Sequence, residues 1–165
     1  MIRVPLAQRM RTTAMKTLSE RRPLERTDMG RFSVEIEVAN YLDVMDVQRG
    51  RIKPEQVRRV KLPAVVDSGA TRLVLPKKVV EQLGLPLGEK VKVLYADKRR
   101  ALRHTVGNVW LKMLSRSDVF TALVEPKRET ALIGAIVLET LDYVVDCIAQ
   151  KVAPRDPKYI VSEIE

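Results

Sequence analysis

Alternating apolar and polar residues predict β-strands over most of the chain. The strictest alternation, over residues 32–38, places four apolar side chains on one face of a strand: Phe32, Val34, Ile36 and Val38. Apolar or alternating runs predict further strands at residues 57–66, 73–75, 91–95, 109–113, 119–124 and 143–148. The charged run 97–100 lies between two of these strands and marks the polar tip of a long hairpin. We therefore expect about seven strands.

Helices are expected at only two places, and both are short. Pro76 suits the first position of a helix, and Gly84 is typical of the residue that ends one. Between them, three apolar residues fall on one helical face: Val79, Val80 and Leu83. Residues 135–141 have the spacing of a second helix, whereas the polar segment 43–56 is predicted to be a loop between paired strands. This pattern indicates a small β architecture, closed or sandwich-like.

Composition narrows the possible functions. The 165 residues are enough for one domain, and 45% apolar with 31% charged residues is typical of a globular protein. With Cys147 as the single cysteine and His104 as the single histidine, a disulfide framework is impossible and a metal site of these residue types is close to excluded. Sites made only of carboxylates stay open. No apolar stretch reaches the roughly 20 residues that cross a bilayer, so we expect a cytoplasmic protein with no membrane partner.

The net charge of +9 is concentrated at the beginning of the chain. Residues 1–31 hold eight basic and three acidic residues. A basic arm can meet nucleic acid or an acidic membrane, and the Arg-rich start also has some character of a transit peptide. No aromatic residue lies in residues 1–31 to stack on bases, so we favour a solvated tail and do not expect nucleic acid as a partner.

Asp67 is the polar residue that the apolar pattern accommodates least easily. It follows Ala64-Val65-Val66, and the apolar character returns at Leu73. Loss of water disfavours an ionised carboxylate unless hydrogen bonds compensate. Gly69 can bring its N–H close to this carboxylate, and the hydroxyls of Ser68 and Thr71 can add bonds that hold the loop rigid. A surface turn also uses Asp, Ser and Gly, but such turns are seldom enclosed by apolar strands.

The sequence from Val65 to Thr71, Val-Val-Asp-Ser-Gly-Ala-Thr, resembles the active-site motif of the retroviral-like (retropepsin-like) aspartic proteases. Leu132-Ile133-Gly134 is similar to the second hallmark of that family, two apolar residues and a glycine that open a short helix. Tyr95-Ala96-Asp97 resembles the start of the flap in bacterial single-domain members. The resemblance extends over residues 29–154. It implies an all-β, closed, acid-protease-like barrel with one or two short helices, and a homodimer.

The resemblance also implies what each matched residue does. Asp67 of each subunit would be catalytic, and the pair would activate a water that hydrolyses a peptide bond, without metal, cofactor or covalent intermediate. Ser68, Gly69, Ala70 and Thr71 would form the active-site loop, in which Ser68 braces the two loops across the dimer. Gly134 would pack beneath that loop. Tyr95, Ala96 and Asp97 would lie on the flap that covers an extended peptide or protein substrate.

The flap departs from the family pattern, since Lys98 stands where related flaps usually have glycine. Such a basic flap either slows turnover or selects substrates with acidic flanks. We therefore keep three hypotheses: an aspartic endopeptidase, a non-proteolytic dimeric module that binds peptides with the same fold, and a nucleic-acid-associated protein that uses its basic arm. The expected division is a basic tail (1–28), a retropepsin-like domain (29–154) and a C-terminal extension (155–165).

Overall fold

A computed structural model describes residues 31–164, and the fold is built almost entirely of strands. The strands are β1 (Phe32–Asn40), β2 (Arg59–Val66), β3 (Leu73–Pro76), β4 (Lys90–Leu94), β5 (Arg100–Met113), β6 (Arg116–Glu125), β7 (Ala131–Ile133), β8 (Tyr143–Asp146) and β9 (Lys151–Pro154). The α-helices are α1 (Tyr41–Gln48), α2 (Lys77–Leu83) and α3 (Ala135–Thr140), and Pro54–Gln56 forms one 3₁₀ turn. The predicted tail at residues 1–28 lies outside the described residues.

Six strands close into a barrel in the order β1-β2-β7-β3-β6-β5, because β1 pairs with β5 as well as with β2. The pairs β2–β7 and β3–β6 are parallel, and the other pairs of the barrel are antiparallel. β4 pairs only with β5 and extends from the barrel as a hairpin, while β8 and β9 form a separate two-stranded sheet. The predicted all-β, acid-protease-like fold is confirmed, and the barrel is closed.

Side chains alternate between the two faces of each strand, and those on the inner face form the core. Ile36 and Val38 point inward from β1, whereas Glu35 between the strand's apolar residues is exposed. Side chains from the other barrel strands complete the interior, among them Leu62, Val66, Leu75, Leu111, Met113 and Ile133. Helix α2 covers one end of the barrel with the three apolar residues that its spacing predicts, and Gly84 ends it in the left-handed region at φ 63°.

The predicted loop at residues 43–56 is wrong in its first half, because α1 occupies Tyr41–Gln48. Asn40 is the physical reason. Its buried side-chain oxygen accepts the N–H of Leu42 at 2.9 Å and caps the helix, and its Nδ2 donates to the carbonyl of Leu83 at 2.9 Å. Asp43 in the first turn pairs with Arg58 just before β2. The helix is therefore specified by tertiary partners that local polarity does not indicate.

Two further expectations need correction. Residues 31–164 form nine strands where about seven were expected, because the two short strands β7 and β9 were not predicted. The strand predicted over 143–148 ends at Asp146, whose Oδ1 accepts the N–H groups of Ile148 and Ala149 at 3.0 and 2.8 Å and so begins a turn. Cys147, which is within the predicted strand, lies in this turn and is exposed.

The C-terminal segment is held against the barrel by one buried cation. Arg116, only 9% exposed, donates through Nη1 to the carbonyls of Leu141 and Asp142, both at 2.7 Å. Its Nη2 donates to the carbonyls of Asp156 and Tyr159. Asp142 in turn accepts the N–H of Val161 at 3.1 Å. Residues 155–164 therefore follow a fixed path, although none of them is in a strand.

Candidate active site

Asp67 lies where β2 ends, at the boundary between the apolar interior and solvent. Its N–H donates to the carbonyl of Ile133 on the parallel strand β7 at 3.0 Å, so the barrel fixes its backbone. The carbonyl of Asp67 accepts the N–H of Ala70 at 3.0 Å, which closes a tight turn. The side chain is 17% exposed. The carboxylate is thus largely shielded from water, yet accessible at the surface of a single chain.

The N–H of Gly69 donates to Oδ1 of Asp67 at 3.0 Å, as the sequence predicts for a glycine at this position. A Cβ at Gly69 would lie 3.2 Å from that oxygen, so a larger residue would crowd the carboxylate. The expected hydroxyl bonds of Ser68 and Thr71 are not formed: both residues are exposed, and within residues 31–164 neither hydroxyl has a hydrogen-bond partner. Backbone groups, not hydroxyls, hold this turn in the single chain.

Gly134 lies directly beneath the Asp67 turn. A Cβ at this residue would lie 2.6 Å from the carbonyl oxygen and 2.7 Å from the nitrogen of Arg72, closer than real Cβ contacts occur. The following N–H groups of α3 donate to the turn: Ala135 to the carbonyl of Ala70 at 2.8 Å and Ile136 to that of Thr71 at 3.0 Å. The predicted loop residues and Gly134 are therefore brought together, and the start of α3 supports the turn.

Arg31 is a contact of Asp67 that the sequence did not reveal. Its Nη2 lies 3.0 Å from Oδ2 of Asp67, and the arginine side chain is 53% exposed. In the sequence this residue is one of eight basic residues at the start of the chain, and nothing near Asp67 in sequence points to it. The pairing of β1 with β2 explains the contact. Phe32 is opposite Val66, so Arg31, the residue before Phe32, lies beside Asp67.

Outward-facing side chains form a continuous apolar row across the barrel next to Asp67. The register places Val65 opposite Leu132, Leu132 opposite Val74, and Val74 opposite Leu123. All four are half-buried, and their strand neighbours Val66, Ile133 and Leu73 face the core. Val65 therefore has one side open to solvent. The apolar row of Val65, Leu132, Val74 and Leu123 is a surface on which apolar side chains of a peptide can pack.

The predicted flap residues lie in the turn of the β4–β5 hairpin. Tyr95 and Lys98 are joined by a bond from the Lys98 N–H to the Tyr95 carbonyl at 2.9 Å. Lys98 has φ 66°, the left-handed region that favours glycine, so the departure noted in the sequence falls on the one flap position where glycine fits best. Arg99 hydrogen bonds to Asp97, which lowers the pKa of that carboxyl. Within residues 31–164 no hydrogen bond joins this turn to the Asp67 loop.

The predicted flap turn is attached to the barrel through Glu125 on β6, a contact that the sequence also missed. The Tyr95 hydroxyl donates to Oε1 of Glu125 at 2.6 Å, and Nε of Arg103 binds the same oxygen. The Arg103 and Arg99 guanidinium groups lie 5.8 and 4.9 Å from the centre of the Tyr95 ring. Burial, and then the hydrogen bond to Glu125, raise the pKa of the Tyr95 phenol. The predicted flap turn is therefore anchored at Tyr95.

Residues 31–164 contain no group of three or more His, Cys, Asp or Glu side chains arranged to hold a metal ion. No helix in the same range has the length and the apolar character that crossing a membrane requires. His104, on β5, is engaged with the carbonyl of Gly88 through Nδ1 at 2.9 Å.

Comparison with known proteins points to the same family as the motifs. Residues 54–140 match the family described as gag-polyprotein putative aspartyl protease. The match extends from the 3₁₀ turn to the end of α3 and includes the Asp67 loop, the flap and Gly134. No curated protein matches the chain. The match covers more than half of the 165 residues, and the closed barrel carries the Asp-Ser-Gly turn at the end of β2. The chain therefore belongs to the retroviral-like aspartyl protease family.

Proposed function

We propose that the protein is a homodimeric aspartic endopeptidase in which Asp67 of each subunit forms the catalytic pair. One observation carries this proposal: a carboxylate fixed at the end of β2 by Gly69 and supported by Gly134, beside an apolar row. An aspartic protease needs two such carboxylates facing one water, and the chain contains one Asp-Ser-Gly sequence. A two-fold axis next to Asp67 supplies the second from an identical copy.

The chemistry follows from two like charges at close range. Two carboxylates that face each other cannot both ionise, so the pair shares one proton. The ionised member takes a proton from the bound water while the water oxygen attacks the peptide carbonyl carbon. The protonated member donates its proton to the carbonyl oxygen. The C–N bond then breaks, and the departing nitrogen receives a proton from the pair. Gly69 lowers the cost of the remaining negative charge through its N–H.

Substrate binding would use the apolar row and the flap. Apolar side chains on either side of the cut bond would pack against the row that includes Val65 and Leu132. An extended peptide between this surface and the β4–β5 hairpin can bond to backbone groups as an added strand. Tyr95 holds the base of the hairpin to Glu125, so closure over a peptide would involve the turn at residues 95–99.

The test is hydrolysis of a mixed peptide library from pH 3 to pH 8 by the wild type, Asp67→Asn and Asp118→Asn. Asp118 is an exposed aspartate on β6 and serves as the matched control. We expect cleavage by the wild type and Asp118→Asn, and a loss of at least about 10³-fold in Asp67→Asn. Cleavage that survives in Asp67→Asn would refute the proposal.

A second function is favoured by one specific contact. Arg31 neutralises the Asp67 carboxylate in the single chain, and Lys98 occupies a flap position that suits glycine. Both features agree with a dimeric module that binds extended peptides and does not cut them. In that case wild type and Asp67→Asn would bind the same peptides with similar affinity, and neither would hydrolyse them.

A further inference from the structure

We propose that the site selects substrates with an acidic side chain, bound by Arg31 and Arg128 in a cavity beside Asp67. This inference rests on the proposed function, because it names the class of substrate that the same cleft takes. It would make the protease specific for sequences in which a Glu or Asp lies close to the cut bond.

The cavity is large enough for one side chain and lies at the end of the apolar row, next to Asp67. Its volume is about 330 Å³, and it is lined by Arg31, Phe32, Ser33, Val65, Arg128 and Leu132. Val65 and Leu132, which help to line it, are also the first two members of the apolar row. Because Arg31 also contacts Asp67, the cavity is directly adjacent to that carboxylate.

The charge of the cavity is one-sided. Two of its six lining residues are arginines and none is acidic. Nε of Arg128 donates to the carbonyl of Thr130 at 3.1 Å, which positions the side chain. In the described part of the chain no carboxylate lies within ion-pair distance of Arg128, so its positive charge is not compensated. A guanidinium with no carboxylate partner favours a carboxylate ligand, because its planar fork of donors matches the two carboxylate oxygens.

Arg31 adds a second guanidinium whose present partner is Asp67. When two Asp67 carboxyls share a proton, the pair carries one negative charge in place of two, and Arg31 loses part of its attraction to them. A substrate carboxylate in the cavity can then accept hydrogen bonds from Arg31 as well as from Arg128. A glutamine of the same size would offer a neutral acceptor and gain far less.

The test uses peptide pairs that differ only by Glu or Gln at each of the four positions on either side of the cut bond. For the wild type we expect kcat/KM to favour Glu at one position by about tenfold or more. Arg31→Gln and Arg128→Gln should each reduce this ratio, and the double variant should bring it to about one. Arg59→Gln is the matched control, since Arg59 pairs with Glu37 at the other end of β2, and it should keep the wild-type ratio.

Two outcomes overturn the inference: a ratio near one at every position in the wild type, or a wild-type ratio that survives in the double variant. Should no peptide be cut, the proposed function fails and the same peptide pairs are compared by binding to the wild type. A Glu preference in Kd that the double variant loses would still support the acidic subsite, and equal Kd values would refute it. Thermal unfolding of each variant establishes that it is folded.

Discussion

Gly134 and Arg72 approach each other so closely that a Cβ on the glycine would lie 2.6 Å from the arginine's carbonyl oxygen. The atom in the way is backbone, which cannot move without displacing the turn that carries Asp67. We predict that Gly134→Ala lowers the free energy of unfolding by about 2–3 kcal/mol and abolishes measurable peptide hydrolysis. Gly107→Ala is the control and should change stability by less than about 1 kcal/mol, since beyond its chain neighbours no atom of residues 31–164 lies within 4 Å of a Cβ added there. Chemical denaturation measures the free energy of unfolding of both variants. Equal stability of the two variants would contradict the prediction.

The ion pair Asp43–Arg58 predicts an acid-dependent loss of stability. Hydrogen bonds from Arg58 hold the pKa of the Asp43 carboxyl below its ordinary value of 3.8. Because the folded pKa is the lower one, this stabilisation is complete above pH 3.8 and disappears as the pH falls through the lowered pKa. Asp43→Asn should cost about 1–2 kcal/mol at pH 7, allowing for the half-exposed arginine, and progressively less as the pH falls below 3.8.

The control for Asp43→Asn is Asp46→Asn, whose carboxylate has one exposed partner, Arg51, at 3.3 Å. That change should cost less than about 0.5 kcal/mol at any pH. Urea unfolding at pH 7 and pH 2 measures the difference. A cost for Asp43→Asn that stays the same at both pH values would show that the carboxylate does not act through its charge.

Arg116 predicts a local effect on the C-terminal segment. Arg116→Met would leave buried carbonyls of Leu141 and Asp142 without their donor, which should lower stability by about 3 kcal/mol or more. Arg155→Ala removes a 57%-exposed partner of the same Asp142 and should cost under about 1 kcal/mol. Hydrogen exchange should show faster amide exchange over residues 156–161 in Arg116→Met alone. Unchanged exchange there would mean that Arg116 does not hold the segment.

Substitution of Tyr95 should change substrate binding without changing the chemical step. Tyr95→Phe removes the hydroxyl that donates to Glu125 and should loosen the hairpin turn. We expect KM to rise about threefold to tenfold with kcat nearly unchanged, the equivalent of one lost hydrogen bond. Tyr159→Phe, on an exposed side chain, should leave both constants unchanged. A fall in kcat without a change in KM would contradict an anchoring role for Tyr95.

Local patterns in the sequence were sufficient to predict most of the strands of the barrel. The alternation at residues 32–38 gives the core face of β1 correctly because one face of that strand is buried and the other is wet. Pro76 and Gly84 bound α2 because their backbone preferences act within a few residues. Helix α1 was missed because its signals are Asn40 bonding to Leu83 and Asp43 pairing with Arg58, partners that only the fold brings near.

The candidate site was predictable to the same extent. Asp67, Gly69 and Gly134 follow from motifs, since their contacts lie within two short segments that β2 and β7 place side by side. Arg31 and Glu125 did not follow, because each meets its partner through strand pairing across long stretches of chain. The strand predicted over 143–148 was too long because alternation cannot show that a turn begins at Asp146.

The proposed pairing of Asp67 with Asp67 of a second subunit is tested most directly by mixing wild-type and variant subunits. A fixed amount of wild type, well above its dimer dissociation constant, is allowed to exchange subunits with increasing Asp67→Asn protein before peptide hydrolysis is measured. If each active site needs two intact Asp67 residues, random pairing leaves about half of the activity with one equivalent of the variant and about a quarter with three. Asp118→Asn under the same conditions should not reduce it. Activity that stays constant as Asp67→Asn is added would show that one subunit works alone, and would contradict the shared pair.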